Sequence, residues 1–305
     1  MPAKKNSEIR LFLVYGWAFK EGGGKFSYIN DMTIIEKVYF VYVIVMLTSE
    51  GGTWLGMDEK GRLAVLTNVY TGKPIKSAGR GFLVIDYLNG DKSAMQYMSD
   101  LSNNNSKYSP FNLCIFEPRD NGYEAVYFKN TFKDNASGIV IQGTGPTFLS
   151  PGISGFGNHP LSEPYRKTAY GIEEFKKIIG RNLDSNLVEE EAVNLLNNKL
   201  QMYPDDQMQK QSGVFQKSDK EPQNPDSFRY QSDVEGPDES EETKLMLQKE
   251  KLLSAIFVDI GELYGTRMQT IILVDFNHNV KFVERTRASN TSPYKWNIKR
   301  FDFKF

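Results

Sequence analysis

The sequence Gly51-Gly52-Thr53-Trp54-Leu55-Gly56-Met57-Asp58, followed by Gly61-Arg62-Leu63-Ala64-Val65-Leu66-Thr67-Asn68, decides how the rest of the chain is read. Trp54, Leu55, Leu63, Val65 and Leu66 are strand-forming apolar residues, and Asp58-Glu59-Lys60-Gly61 is a polar turn between them. A β-hairpin is predicted. Gly51, Gly52 and Gly56 mark positions where a Cβ would obstruct the backbone or where φ is unusual. Asn68 stands at the polar exit of the second strand.

Upstream, Val38–Leu47 (VYFVYVIVML) is an uncharged apolar run. Membrane-spanning helices need about twenty such residues, so the run is too short to span. Its β-branched and aromatic content predicts a buried strand, and the chain reads as having no membrane span. Before it, Leu11-Phe12-Leu13-Val14 suggests a short strand, and Gly22-Gly23-Gly24 breaks any regular element. Residues 1–33 are set apart as an N-terminal segment. Lys4, Lys5 and Arg10 lie early, but no apolar region and cleavage site follow in secretory order, and Glu8 weakens a mitochondrial address.

Downstream, Phe82–Leu88 and Ser93–Leu101 are predicted as helices, the second capped by Ser93 or Asp91. Phe111–Glu117 and Tyr123–Phe128 read as a hairpin whose Asn121-Gly122 supplies positive φ. Short strands are expected at Gly138–Gln142, Thr147–Leu149 and Gly152–Gly157. Helical spacing predicts Tyr165–Ile179, ended by Gly180, and Leu187–Leu200. Lys244–Phe257 is expected to begin as helix and finish as a strand through Ile256-Phe257-Val258. Thr270–Asp275 and Val280–Glu284 form a further hairpin, and Phe301, Phe303 and Phe305 alternate with Asp302 and Lys304 in a terminal strand with one buried face.

Residues 204–243 differ in kind. They contain four prolines and no Leu or Ile, and Ser232–Glu242 holds six acidic residues with no basic one. Such a composition buries too little apolar surface to offset its ordering entropy, so a flexible acidic insertion is expected. The remainder, 34–305, reads as a single α+β domain.

Thirty-seven basic and 38 acidic residues leave a formal charge of −1, which argues against a nucleic-acid binder. Cys114 is the only cysteine, so no internal disulfide can form, and its apolar strand context suggests a buried inert thiol. With only His159 and His278 and no cysteine cluster, a zinc site is not expected.

Several fragments occur in one family's order: the GGTWLG hairpin, Gly79-Arg80-Gly81 before its helix, Phe111-Asn112-Leu113, Leu149–Asn158 (LSPGISGFGN), Pro164-Tyr165-Arg166-Lys167, and Tyr264-Gly265-Thr266-Arg267 leading to TIILVD. Together they resemble the transport and Golgi organisation family, also called the NRDE family. The resemblance implies a four-layer αββα sandwich like that of N-terminal-nucleophile hydrolases, with two mostly antiparallel sheets between helix layers. It makes Asn158 and Arg267 the mid-chain Asn and late Arg that hold a ligand, with Asn68 another pocket member. In the cysteine branch of that superfamily an N-terminal Cys is nucleophile and its own amine the base. Here position 2 is Pro, and the Asn-Arg-Asp-Glu tetrapeptide is absent from the first 50 residues.

The resemblance therefore implies a non-enzymatic trafficking protein connected with Golgi organisation, secretion and haem transport. It would be cytoplasmic, with Golgi or mitochondrial association, and would need no cofactor, haem being cargo. His159 is the candidate haem ligand, and proteins of the secretory or haem-trafficking pathway are the implied partners. The alternatives are a Cys-type amide or thioester hydrolase and a pocket for acyl or coenzyme A ligands without turnover, which Asn158 and Arg267 would suit.

Overall fold

Period-two apolar patterning at both ends of the chain and period-3.6 patterning between them lead to sheets flanked by helices. The computed structural model describes residues 10–19, 43–46, 52–69, 79–103, 108–120, 122–130, 145–155, 157–159, 161, 164–181, 183–203, 248, 251–260, 264–275, 277–288 and 294–305. The acidic stretch 204–243 and the strand expected at Gly138–Gln142 lie outside them, as do Pro2 and the triple glycine.

The first sheet contains β1 (Arg10–Phe19), β9 (Tyr264–Val274), β10 (Asn279–Arg287) and β11 (Trp296–Lys304) in the order β1-β9-β10-β11, and β8 (Asp259–Ile260) pairs with β9. The second runs β2 (Val43–Met46), β3 (Thr53–Met57), β4 (Leu63–Asn68), β5 (Phe111–Arg119), β6 (Gly122–Lys129) and β7 (Thr147–Phe148). Every pairing is antiparallel. The short strand suggested at Leu11–Val14 extends over ten residues as β1, and within Val38–Leu47 the described strand is β2.

Three packed cores define the layers. On one outer side, α1 (Phe82–Asn89) and α2 (Ala94–Asn103) bury Val84, Tyr87 and Met98 against Ala64, Phe111 and Leu113 of β4 and β5. Between the sheets, Leu55, Met57, Leu63 and Val65 meet Ile272, Val274, Val280 and Phe282. On the other outer side, α4 (Ser185–Leu196), with Ile178 of α3 (Arg166–Ile179), covers Ile271, Leu273 and Val283. The fold is an α+β sandwich layered helix, sheet, sheet, helix.

The signature hairpin forms as its sequence dictates. Gly61 turns with φ +77° and lets the Phe305 ring approach to 2.6 Å of where a Cβ would stand. At the other end, a Cβ on Gly52 would lie 2.6 Å from the Gly81 Cα, and Thr53 N donates to Gly81 O at 2.8 Å. GG and GRG are thus two halves of one close backbone contact. Arg62 ties the turn to the end of α1: it bonds Asp58 at 2.6 Å and donates to the carbonyls of Leu88 and Gly90.

Helix α2 opens with a capping box. Gln96 N donates to Ser93 Oγ, and Ser93 N donates back to Gln96 Oε1. Asp184 caps α4, accepting from Asn186 N and Leu187 N, and α4 ends at Leu196 rather than Leu200.

Two expected strands are corrected. The described residues of Gly152–Gly157 are loop, with Gly152 at φ +144°. The strand expected at Ile256–Val258 is displaced to Asp259–Ile260, although Ile256, Phe257 and Val258 are all buried. Ile256 is buried in the helix-side core and Phe257 against the rings of Tyr294 and Trp296, rather than in a ladder.

Candidate functional site

Side-chain alternation fixes what faces the gap between the sheets. On β4, Ala64 and Leu66 join the helix-side core while Leu63 and Val65 join the inter-sheet core, so Thr67 faces the gap. By the same parity Asn112 and Cys114 of β5 and Tyr127 of β6 face it, because Phe111, Leu113, Val126 and Phe128 pack on the helices. On the opposing sheet, Ile272, Val280 and Phe282 face the gap, and Thr270, Glu284 and Lys299 continue that face in one cross-strand row. The Leu63 end lies with the Phe305 end, since Phe305 packs on Gly61. The gap is therefore apolar at the Gly61 end and polar at the other.

The polar end is built on Asn112, which is fully buried. Its Nδ2 donates to Gly157 O at 3.0 Å, His159 O at 2.8 Å and Thr67 Oγ1 at 3.1 Å, and its Oδ1 accepts from the Tyr127 hydroxyl at 2.7 Å. Thr67 Oγ1 donates to Gly157 O at 2.6 Å, and Leu161 N donates to the Tyr127 oxygen at 3.3 Å. Three side chains from three adjacent strands thus seat the loop 157–161 by its backbone. Thr67 and Asn112 lie within fragments quoted for the family resemblance, but it assigns no site role to them or to Tyr127. The signal that could have found them is the run of polar residues at inward positions of otherwise apolar strands.

Asn158 lies in the middle of this seated loop. It is half-buried, and its carbonyl accepts from the Tyr165 hydroxyl at 3.2 Å. Asn68 is exposed and follows Thr67 directly, so its backbone adjoins the same loop. His159 is fully buried. Its Nε2 is 2.9 Å from Thr168 Oγ1, and its ring lies 4.5 Å from that of Tyr165. Gly157 adjoins the same ring, with a Cβ position 3.3 Å from Nε2. The imidazole joins the loop to the start of α3.

Arg267 comes from the opposite sheet. Gly16 pairs with Met268 and Trp17 with Thr266, so Arg267 is the extra residue of a β-bulge. Met268 beside it packs on the inter-sheet core, and Arg267 itself is half-buried. Its charge reaches Tyr294, whose hydroxyl donates to Asp259 Oδ2 at 2.5 Å. Burial pushes the Asp259 carboxyl up, but the Tyr294 and Lys199 hydrogen bonds and the nearby cationic charge bring it below the ordinary range. Arg285 and Arg287 stack over Trp296 and Tyr294 at 4.6 and 3.8 Å, and Arg285 donates to Gln269 Oε1. This cation–aromatic ladder braces the strand ends that carry Arg267.

Of the sequence-derived residues, Asn158 lies in the loop seated by Thr67, Asn112 and Tyr127, Asn68 is exposed one residue beyond Thr67 and by the same alternation belongs to the helix-side face of β4, and Arg267 comes from the other sheet. Cys114 is also on the gap face, fully buried between Val65 and Tyr127 in register, and burial pushes its thiol well above the ordinary range. Among the described residues, no group of three His, Cys, Asp or Glu is placed to hold a metal ion. No described helix is long and apolar enough to cross a membrane.

A family model described as "Transport and Golgi organisation 2" matches residues 42–289. The Transport and Golgi organization protein 2 homologs of Bos taurus and Homo sapiens are each 28% identical over 259 and 258 residues, covering 84% and 83% of this chain and 79% and 78% of theirs. Transport and Golgi organization protein 2 of Drosophila melanogaster is 25% identical over 262 residues, with 81% and 76% covered. One family model spans most of this length, including the hairpin, the seated loop and the Arg267 bulge, and the chain belongs to the Transport and Golgi organisation 2 family.

Proposed function

We propose that this chain acts in transport and Golgi organisation, the roles its relatives are named for, by binding a small anionic amphiphile without hydrolysing it. One observation carries the reading. Lys299 continues the gap face of one sheet, Arg267 comes from a strand of that same sheet, and the Cys114 thiol on the gap face of the other sheet is held protonated by burial. A guanidinium and an ammonium favour a carboxylate or phosphate head. A protonated, buried thiol is a poor nucleophile.

Haem, with its two carboxylates, is the first cargo to test, and acyl-coenzyme A is the second. A haem titration followed by absorbance, with wild type beside Arg267→Ala and His159→Ala, is the direct experiment. Saturable binding weakened mainly by Arg267→Ala supports the reading, since the His159 ring is engaged with Thr168 and Tyr165. A flat haem titration with tight palmitoyl-coenzyme A binding moves the cargo to the acyl class. Release of coenzyme A from that thioester at a catalytic rate would overturn the non-hydrolytic part.

A further inference from the structure

The outer edge of the first sheet differs from the edges of the second. The second sheet ends in β2, four residues with a register shift between Ile44 and Met46, and in β7, two residues long. The first ends in β11, which runs nine residues against β10 without a bulge. Among the described residues, no strand lies on its far side. Ala288 N donates to Lys295 O and Phe305 N to His278 O, so the odd-numbered residues of β11 are those that bond β10. The backbone N–H and C=O groups of Ile298, Arg300, Asp302 and Lys304 therefore point away from the sheet, and all four residues are exposed. A long regular edge is a template for another strand, and natural proteins usually shorten, bulge or cover it. Of those guards β11 keeps only charge: Lys299, Arg300 and Lys304 repel a like-charged strand, but Asp302 stands among them.

We infer that β11 is the pairing edge for a second copy of this chain, joining the two antiparallel about a two-fold axis at Phe301. The register follows from charge. Centring on Lys299 or Arg300 sets a cation against itself. Centring on Asp302 sets the carboxylate against itself and Arg300 against Lys304, and any centre except Phe301 among the remaining residues pairs a shorter stretch. Centring on Phe301 places Arg300 of each copy opposite Asp302 of the other, twice by symmetry. Ile298 then faces Lys304, Lys299 faces Phe303, and no rung opposes two like charges. The outward backbone groups from Ile298 to Lys304 all find partners in that register. Arg300 already donates to Glu189 of α4 at 2.9 Å, and a guanidinium has donors left for a second carboxylate. Asp302 makes no hydrogen bond or ion pair among the described residues. Because Lys299 and Phe301 lie on the gap face, the axis sets the rims of the two gaps side by side.

The test is sedimentation velocity of the full chain from about 1 to 200 μM, a range suited to a small interface. Wild type should pass from monomer to dimer as concentration rises. Arg300→Asp and Asp302→Arg each set like charges on both central rungs, so each should weaken association by at least about tenfold. Both positions are exposed, so both variants should fold. Mixed in equal amounts they should associate again, because each carries the sign that the other lacks. Hydrogen exchange reads the backbone: the amides of Ile298, Arg300, Asp302 and Lys304 should gain protection with concentration, while that of Phe301, bonded to β10, should not change. A wild type that stays monomeric throughout overturns the inference. A dimer that neither substitution weakens overturns it too, since that dimer uses another face. So does a loss of association that the mixture fails to repair, since the strands then meet in another register.

Discussion

The two ends of the inter-sheet gap are made by the same strands, presenting the same faces, a few residues apart. At one end Met57, Leu63 and Phe282 are fully buried, and Phe305 lies over Gly61. At the other, the inward positions become Thr67, Asn112, Tyr127, Thr270 and Glu284. The first end holds the sheets together by excluding water from apolar surface. The second is held by directional bonds and presents charge. The chemistry has its precision because it stands on strands that the apolar end has already fixed.

That division can be broken most severely at the apolar end. Phe282→Ala should cost about 3–5 kcal/mol, because a large ring is removed where both sheets meet. Urea midpoints measure this, and a loss of under about 1 kcal/mol would mean that the gap is not the principal core. At the polar end, Asn112→Leu should cost about 2–3 kcal/mol, since Tyr127 and two loop carbonyls lose their partner together. Hydrogen exchange would show the effect concentrated at the Leu161 amide; uniform acceleration would count against a loop seated by this one amide.

Gly52→Ala probes the contact that sets the hairpin against α1. Backbone meets backbone there, so about 1–3 kcal/mol is expected, with a lower melting temperature as the readout. The smallest effect belongs to the bracing ladder. Tyr294→Phe should cost about 1 kcal/mol and make the protein more acid-sensitive. The sign follows from Asp259: a carboxyl with a depressed folded pKa contributes stability above its unfolded value and loses it as pH falls through the folded one. Removing the Tyr294 bond raises that folded value, so the acid limb of a melting-temperature profile should move to higher pH. An unchanged limb would detach Tyr294 from Asp259.

The layered fold was largely legible because its signals are local. Gly61 beside Asp58, Asn121-Gly122, the apolar stripe of α3 and the alternating Phe301-Phe303-Phe305 each act within a few residues. What misled was apolar content outside a ladder. Ile153 lies between glycines in a segment expected to be strand, yet the backbone beyond it bonds to side chains of Thr67 and Asn112. Ile256 is apolar for the helix-side core and Phe257 for the rings of Tyr294 and Trp296, not for a sheet ladder. Around the seated loop, family resemblance named Asn158, whereas the loop-seating roles of Asn112 and Tyr127 were missed. Their meaning depends on partners brought together across strands, and no spacing along the chain encodes that.

The bulge at Arg267 has a consequence for how such a site can arise. Because this residue is surplus to the pairing between β1 and β9, the ladder on either side keeps its partners with or without it. Loss or gain of a single codon could therefore delete or install a cationic group on β9 while the rest of both strands stays in register. Lineages can in that way change the charge beside Tyr294 by insertion or deletion, a route closed to any residue that occupies a regular rung.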